Sequence, residues 1–150
     1  MTVTIWLAAL VLSACVALPR YLTPSGKPEV RESGISRAVL INKIAAACVD
    51  TGYRVARTDD FVVDCRGPGD RAAVVAERIV SGTPELSRPE ERVLFNVVEV
   101  QAGDGFRVIM TVLTVLNPGT SREKANDDTL FPSPRASKLR DVLNMPAPQR

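Results

Sequence analysis

Residues 92–117 read RVLFNVVEVQA-GDG-FRVIMTVLTVLN. Two runs rich in Val, Ile, Leu, Phe and Thr flank Gly103-Asp104-Gly105, a composition typical of two β-strands joined by a tight turn. A three-residue loop with glycine in third place favours a type I turn followed by a left-handed residue. The stretch therefore predicts a long antiparallel β-hairpin.

The register of this hairpin determines which side chains share a face. A three-residue loop pairs Val100 with Val108 and Val98 with Met110, which gives one mostly apolar face. Far from the turn, the opposite face then carries a second apolar patch of Phe95, Val97, Leu113 and Val115. We expect a helix to cover the first face. Either another part of the chain or a partner protein covers the patch, because large exposed apolar patches are uncommon on monomers.

Shorter elements upstream complete the predicted domain. Ser36 is a suitable N-cap for a helix over residues 37–51, whose apolar residues fall at helical spacing, and Gly52 suits its end. Residues 53–57 and 61–66 are β-prone and flank a turn. A second helix is predicted from Asp70 to about Val80, with a strand over residues 72–80 as the alternative. We predict one α+β domain over residues 35–120, with a helix packed on an antiparallel sheet that includes the long hairpin.

The first nineteen residues carry no charged side chain, and residues 3–18 are almost entirely apolar. This run is short for a transmembrane helix and has the length of a signal-peptide core. It ends in Leu12-Ser13-Ala14-Cys15, which resembles the lipobox of bacterial lipoproteins. The resemblance implies a diacylglycerol on the Cys15 thiol, removal of residues 1–14, and acylation of the new amino terminus by a fatty acid such as palmitate. Several acyl chains together make membrane anchoring stable.

The start of the leader departs from the usual pattern. Signal peptides normally open with Lys or Arg, and the first basic residue here is Arg20. Either the true start codon lies upstream, or the segment is a short uncleaved anchor, or it is a buried helix with an incidental cysteine. Val16 stands where enterobacterial lipoproteins retained at the inner membrane carry Asp. The resemblance therefore implies an envelope protein on the outer membrane, facing the periplasm.

Proline-rich sequence borders the predicted domain on both sides. Residues 15–34 contain three prolines and predict a semi-extended tether, which at roughly 3 Å per residue would hold the domain tens of ångströms from the bilayer. Residues 121–150 are polar and predict a loosely ordered tail with one short helix over residues 137–144.

Cys48 and Cys65 are the other two cysteines of the chain. In an oxidising envelope an even pair forms a disulfide where the fold brings the two Cα atoms within ~7 Å. Two buried free thiols are the alternative, since cysteine packs well as a small hydrophobe. Both interpretations stay open at this point.

Composition argues against several classes of function. The net charge is +2, with acidic residues interspersed among the basic ones, which gives no basis for nucleic-acid binding. The chain has no histidine, so it lacks the commonest acid–base group and the commonest nitrogen ligand for transition metals. The loop Gly67-Pro68-Gly69 lacks the spacing and the lysine of a phosphate-binding loop. We therefore predict no catalytic residues, no metal and no cofactor.

The chain is interpreted as a membrane-anchored envelope lipoprotein whose domain is a non-enzymatic, protein-binding accessory or scaffold. Small α+β lipoproteins of the outer-membrane assembly machinery are similar in plan, and so are small lipoproteins encoded by phages. The alternative is a small-ligand or cell-wall binding protein, or a weak carboxylate-dependent hydrolase. That alternative requires a concave apolar pocket with convergent polar groups.

Overall fold

The computed structural model describes residues 19–69, 89–101 and 104–149. Along these residues the elements are β1 (Glu29–Glu32), α1 (Arg37–Asp50), β2 (Arg54–Thr58), β3 (Val62–Pro68), β4 (Glu90–Glu99), β5 (Phe106–Leu116), β6 (Lys124–Asp127) and α2 (Pro134–Val142). The strands form one antiparallel sheet in the order β1-β5-β4-β3-β2, with β6 also beside β5. The predicted α+β class is confirmed. The helix predicted over residues 70–80 lies outside the described residues.

Local signals place α1 as predicted. The Ser36 hydroxyl oxygen accepts a hydrogen bond from the amide of Val39 (3.3 Å), which satisfies one of the amides left free at a helix start. At the other end the Thr51 hydroxyl donates to the carbonyl of Ala47 (2.7 Å). Gly52 follows with φ +86°, a left-handed conformation that favours glycine.

The hairpin forms, but the predicted register is wrong by three residues. Phe95, rather than Val98, lies opposite Met110, and Val98 faces Arg107. The connection is longer than predicted, because the last strand pair is Glu99 with Phe106 and the turn closes with a bond from the Asp104 amide to the Gln101 carbonyl (3.0 Å).

Gly105 has the predicted left-handed backbone (φ +99°). A Cβ at this position would collide with the carbonyl oxygen of Glu32, since the end of β1 passes directly beside the turn. Tertiary packing against β1 therefore contributes to the geometry of the turn, in addition to the local loop sequence.

A shift by an odd number of residues turns β4 over, because successive side chains of a strand point to opposite faces. Phe95 and Val97 consequently join Val108 and Met110 on the face that packs against the helices. The two helices and this face of the sheet share one hydrophobic core, whose largest fully buried members include Leu40, Ile44, Val63, Val93, Phe95, Val97, Val108, Met110, Val112 and Leu139.

The predicted tether is wrong from about residue 20 onward, because this segment belongs to the domain. Arg20 and Gln149 exchange two backbone hydrogen bonds (2.9 and 2.8 Å), and Tyr21 is only 5% exposed. Residues Glu29–Glu32 then pair with β5 along Ile109 to Phe106. The prolines that suggested an extended lead are compatible with a short edge strand.

The predicted loose tail is wrong for the same reason. Residues Lys124–Asp127 form β6 on the part of the β5 edge that β1 leaves free. Helix α2 begins at Pro134, earlier than the predicted residue 137, with Ser133 as its N-cap, and its Leu139 is fully buried. The domain therefore extends beyond residues 35–120 on both sides. Neither of the two described helices has the length and apolar character needed to cross a bilayer.

Candidate interaction surface

A disulfide joins α1 to the sheet. Cys48 in the last turn of α1 and Cys65 in the middle of β3 are bonded, with their Cα atoms 6.1 Å apart, and both side chains are fully buried. Of the two alternatives, the structure has the bridge. It uses two of the three cysteines of the chain. The third, Cys15, lies outside the described residues.

The predicted partner-facing patch is not a single surface. Phe95 and Val97 are buried beneath the helices, whereas Leu113 and Val115 lie on the opposite face of the sheet. Val115 is itself fully buried and Leu113 is half-buried. The grouping of these four residues depended on the hairpin register, and it fails with that register.

An ion network occupies part of that opposite face. Three arginines stand at neighbouring positions across β2, β3 and β4, namely Arg54, Arg66 and Arg92. Like charges directly opposite each other destabilise a sheet. Glu90 contacts all three guanidinium groups, at 3.0, 3.6 and 2.8 Å respectively.

Two further carboxylates complete this ion network. They belong to Asp64, 2.7 Å from Arg66, and to Glu123, 3.1 Å from Arg92. The three arginines are thus balanced by three carboxylates. The network has no net positive charge that would attract an anionic ligand.

A second polar cluster is enclosed between the sheet and the start of α2. The buried carboxylate of Glu91 accepts a hydrogen bond from the Tyr53 hydroxyl. The guanidinium carbon of Arg135 lies 5.3 Å from the centre of the Tyr53 ring. Burial, together with the bond to Glu91, raises the pKa of Tyr53 well above its usual range. The hydroxyl therefore keeps its proton at neutral pH. Tyr53 and Glu91 are at most 5% exposed, so this cluster is not accessible to a substrate. The contact between Arg135 and the Tyr53 ring ties α2 to the sheet.

The most exposed aromatic feature near α1 is a group of three side chains, Arg37, Phe61 and Phe106, which we call the Phe61 surface. The guanidinium carbon of Arg37 lies 4.9 Å from the centre of the Phe61 ring and 5.5 Å from that of Phe106. A salt bridge of 2.9 Å to Glu99 holds the same guanidinium group. Each such cation–π contact contributes about 0.5–1 kcal/mol at an exposed site. Phe61 nevertheless remains 58% exposed.

The turn between β2 and β3 fixes the position of Phe61. A carboxylate oxygen of Asp59 accepts hydrogen bonds from the amides of Phe61 (2.9 Å) and Val62 (2.8 Å). The bond from the Phe61 amide and the neighbouring Arg57 guanidinium lower the pKa of Asp59. Asp59 is therefore ionised at neutral pH and keeps the turn closed. A shallow cleft of about 230 Å³ separates this turn from the start of α1 and is lined in part by Ala38, Ile41, Asn42 and Thr58.

The sequence did not reveal this surface. The β-prone run over residues 61–66 predicts a strand that begins at Phe61, whereas the strand begins at Val62 and Phe61 lies in the turn. The Asp59-Asp60 pair is the signal that could have extended the turn by one residue, because Asp side chains accept hydrogen bonds from amides two residues ahead. Among the described residues, no group of three or more His, Cys, Asp or Glu side chains is placed to hold a metal ion.

Comparison of the chain with protein-family models, with curated proteins and with solved structures found no match in any of the three.

Proposed function

We propose that this chain is an exported bacterial lipoprotein, anchored through Cys15 to a membrane of the cell envelope, and that its domain is a non-enzymatic protein-binding module. The observation that carries the first half of this proposal is the buried Cys48–Cys65 disulfide. Disulfides persist in oxidising compartments such as the periplasm and are rare in the cytosol of mesophiles. Since the bridge uses two of three cysteines, Cys15 remains for the lipid at the position that the lipobox assigns to it.

A mass measurement tests the anchor. The full chain is produced in a bacterium with lipoprotein processing, and its envelope is extracted with detergent. We expect an intact mass equal to residues 15–150 plus a diacylglycerol and one amide-linked acyl chain, with both modifications on the peptide that begins at Cys15. A chain that still carries residues 1–14 and partitions into the aqueous phase would contradict the proposal.

The Phe61 surface supports the protein-binding half. Aromatic residues and arginine are enriched in the cores of protein–protein interfaces and at their energetic hot spots. In the isolated domain the Arg37 side chain already contacts the Phe61 ring, the Phe106 ring and the Glu99 carboxylate. Less side-chain entropy is then lost on association, because the contacting groups are already ordered.

Crosslinking in the intact envelope tests this surface. A photoreactive residue placed at Asn42, beside the cleft, is compared in three backgrounds: the wild type, Phe61→Ala and Val49→Ala. We expect a partner adduct in the wild type that falls at least about tenfold in Phe61→Ala, because truncation of a hot-spot residue costs about 2 kcal/mol or more.

Val49 provides the matched control. It is a large apolar residue of α1 with 60% exposure, similar to the 58% of Phe61, and it does not belong to the Phe61 surface. Val49→Ala should leave the adduct unchanged. An equal loss in both variants, or a wild type that yields no adduct, would contradict the assignment of a partner to this surface.

A further inference from the structure

Apolar side chains are exposed at the end of the domain from which the chain leads back to Cys15. Leu22 is 64% exposed, Leu130 is 38% exposed and Phe131 is 68% exposed. Phe131 has the largest exposed fraction among the large apolar side chains of the described residues. Leu130 and Phe131 are neighbours in a turn, and the exposure of two adjacent apolar side chains to water is unfavourable. Their burial against another surface would therefore be favourable.

A hydrogen bond ties this turn to the first residues of the domain. The Tyr21 hydroxyl donates to the carbonyl of Thr129 (3.1 Å), and the residue after Tyr21 is Leu22. The turn itself closes with a bond from the Phe131 amide to the Asp128 carbonyl (2.9 Å). We call Leu22, Leu130 and Phe131 the anchor-side patch, because Tyr21 connects the two segments that carry them.

Hydrogen bonds hold the turn against the sheet. The amide of Val112 in β5 donates to the Thr129 hydroxyl oxygen (3.0 Å), and the Val112 carbonyl accepts from the Asp128 amide (2.9 Å). The Asp127 carboxylate accepts a hydrogen bond from the Thr129 amide (3.0 Å) and forms a salt bridge of 3.2 Å with Lys27. Leu130 and Phe131 therefore project from a fixed base, which suits insertion into a surface.

The length of chain between the lipid and the domain decides which surface that is. Arg20 already belongs to the domain through its backbone bonds to Gln149, and it is five residues from Cys15. Five residues span at most roughly 17 Å when fully extended. A lipid on Cys15 therefore keeps this end of the domain at the bilayer, within reach of the boundary between headgroups and acyl chains.

We propose that the anchor-side patch inserts into this boundary, so that the domain rests on the lipid surface in one orientation. The proposal rests on the proposed function, since the lipid on Cys15 brings the patch to the membrane. Arg20 is exposed on the same short segment and adds a charge that anionic headgroups attract. The Phe61 surface lies toward the other end of the strands, because its Phe106 is the first residue of β5 whereas the turn that carries Leu130 and Phe131 is bonded to Val112, six residues or about 20 Å farther along β5.

Tryptophan fluorescence tests the orientation. Trp6 is the only tryptophan of the chain and is removed with residues 1–14, so a Phe131→Trp variant carries a single reporter after processing. The lipid-modified protein is reconstituted into vesicles of phosphatidylethanolamine and phosphatidylglycerol, with or without lipids brominated on the acyl chains. We expect brominated lipids to lower the fluorescence of the Phe131→Trp variant about twofold, because interfacial side chains reach the acyl boundary.

Phe61→Trp is the matched control, since Phe61 is a second exposed phenylalanine in a turn. Its fluorescence should be the same in both kinds of vesicle. Equal quenching of the two variants, or no quenching of Phe131→Trp in protein whose lipid is verified by mass, would overturn the orientation and leave the anchor intact. A processed chain without lipid would overturn both the anchor and the orientation.

Discussion

Replacement of Cys15 with alanine is expected to reduce the incorporation of labelled palmitate to background. Only a thiol can form the thioether to a diacylglycerol, and the lipobox that Leu12-Ser13-Ala14-Cys15 resembles provides a single cysteine. Without the modified cysteine the leader should also stay attached, so that the variant is longer than the wild-type product by residues 1–14. Metabolic labelling followed by mass spectrometry of the purified chain measures both effects.

The other cysteines provide the control for this experiment. A Cys48→Ala and Cys65→Ala double variant retains Cys15 and should keep its label, even though it lacks the bridge. Membrane fractionation alone is less decisive, because an uncleaved apolar leader also associates with membranes. Persistent labelling of the Cys15→Ala variant would show that the acyl chains are attached elsewhere, and the proposed anchor would be wrong.

Elements with strong local signals were predicted correctly from the sequence. Helix α1 has Ser36 before its first turn and Gly52 after its last, and both perform the expected roles. Strands β2 and β3 are separated by a turn whose Asp59 accepts amide hydrogen bonds. In each case the determining interactions lie within a few residues of one another, so the chain sequence alone is sufficient to indicate them.

The hairpin register could not be derived in this way, because β4 carries apolar residues on both of its faces. Val93, Phe95 and Val97 alternate with Leu94 and Val98, so the period-two pattern does not specify which set is buried. The structure buries the first set, opposite Val112, Met110 and Val108. Contacts with α1 and with the end of β1 select this register, and these contacts are distant in sequence.

The ends of the domain and the Phe61 surface share this difficulty. Strands β1 and β6 are four residues each, and β1 pairs with β5 across about eighty residues, as between Glu29 and Ile109. So short a strand has little β-propensity of its own and forms because a partner edge is present. The contact of Arg37 with Phe61 and Phe106 likewise depends on the folded sheet. Long-range pairing of this kind leaves no pattern in the local sequence.

Reduction of the Cys48–Cys65 bridge is expected to lower the free energy of unfolding by about 3 kcal/mol. The two cysteines are 17 residues apart, and closing a loop of this size removes that much chain entropy from the unfolded state. Natural domains are stable by only about 5–15 kcal/mol, so the bridge accounts for a large share. With a urea dependence of about 1–3 kcal/mol per molar, the midpoint of unfolding should fall by about 1–3 M.

The comparison is best made between oxidised protein and the same protein unfolded and refolded with a reductant. Replacement of both cysteines by alanine would add the cost of a cavity, since both side chains are fully buried. A thioether at Cys15 is not reducible, so in the lipid-modified protein the reductant acts on the bridge alone. If the oxidised and reduced proteins unfold at the same urea concentration, folding does not depend on an oxidising compartment. The stability argument for export would then be lost, and the lipobox would have to support that proposal by itself.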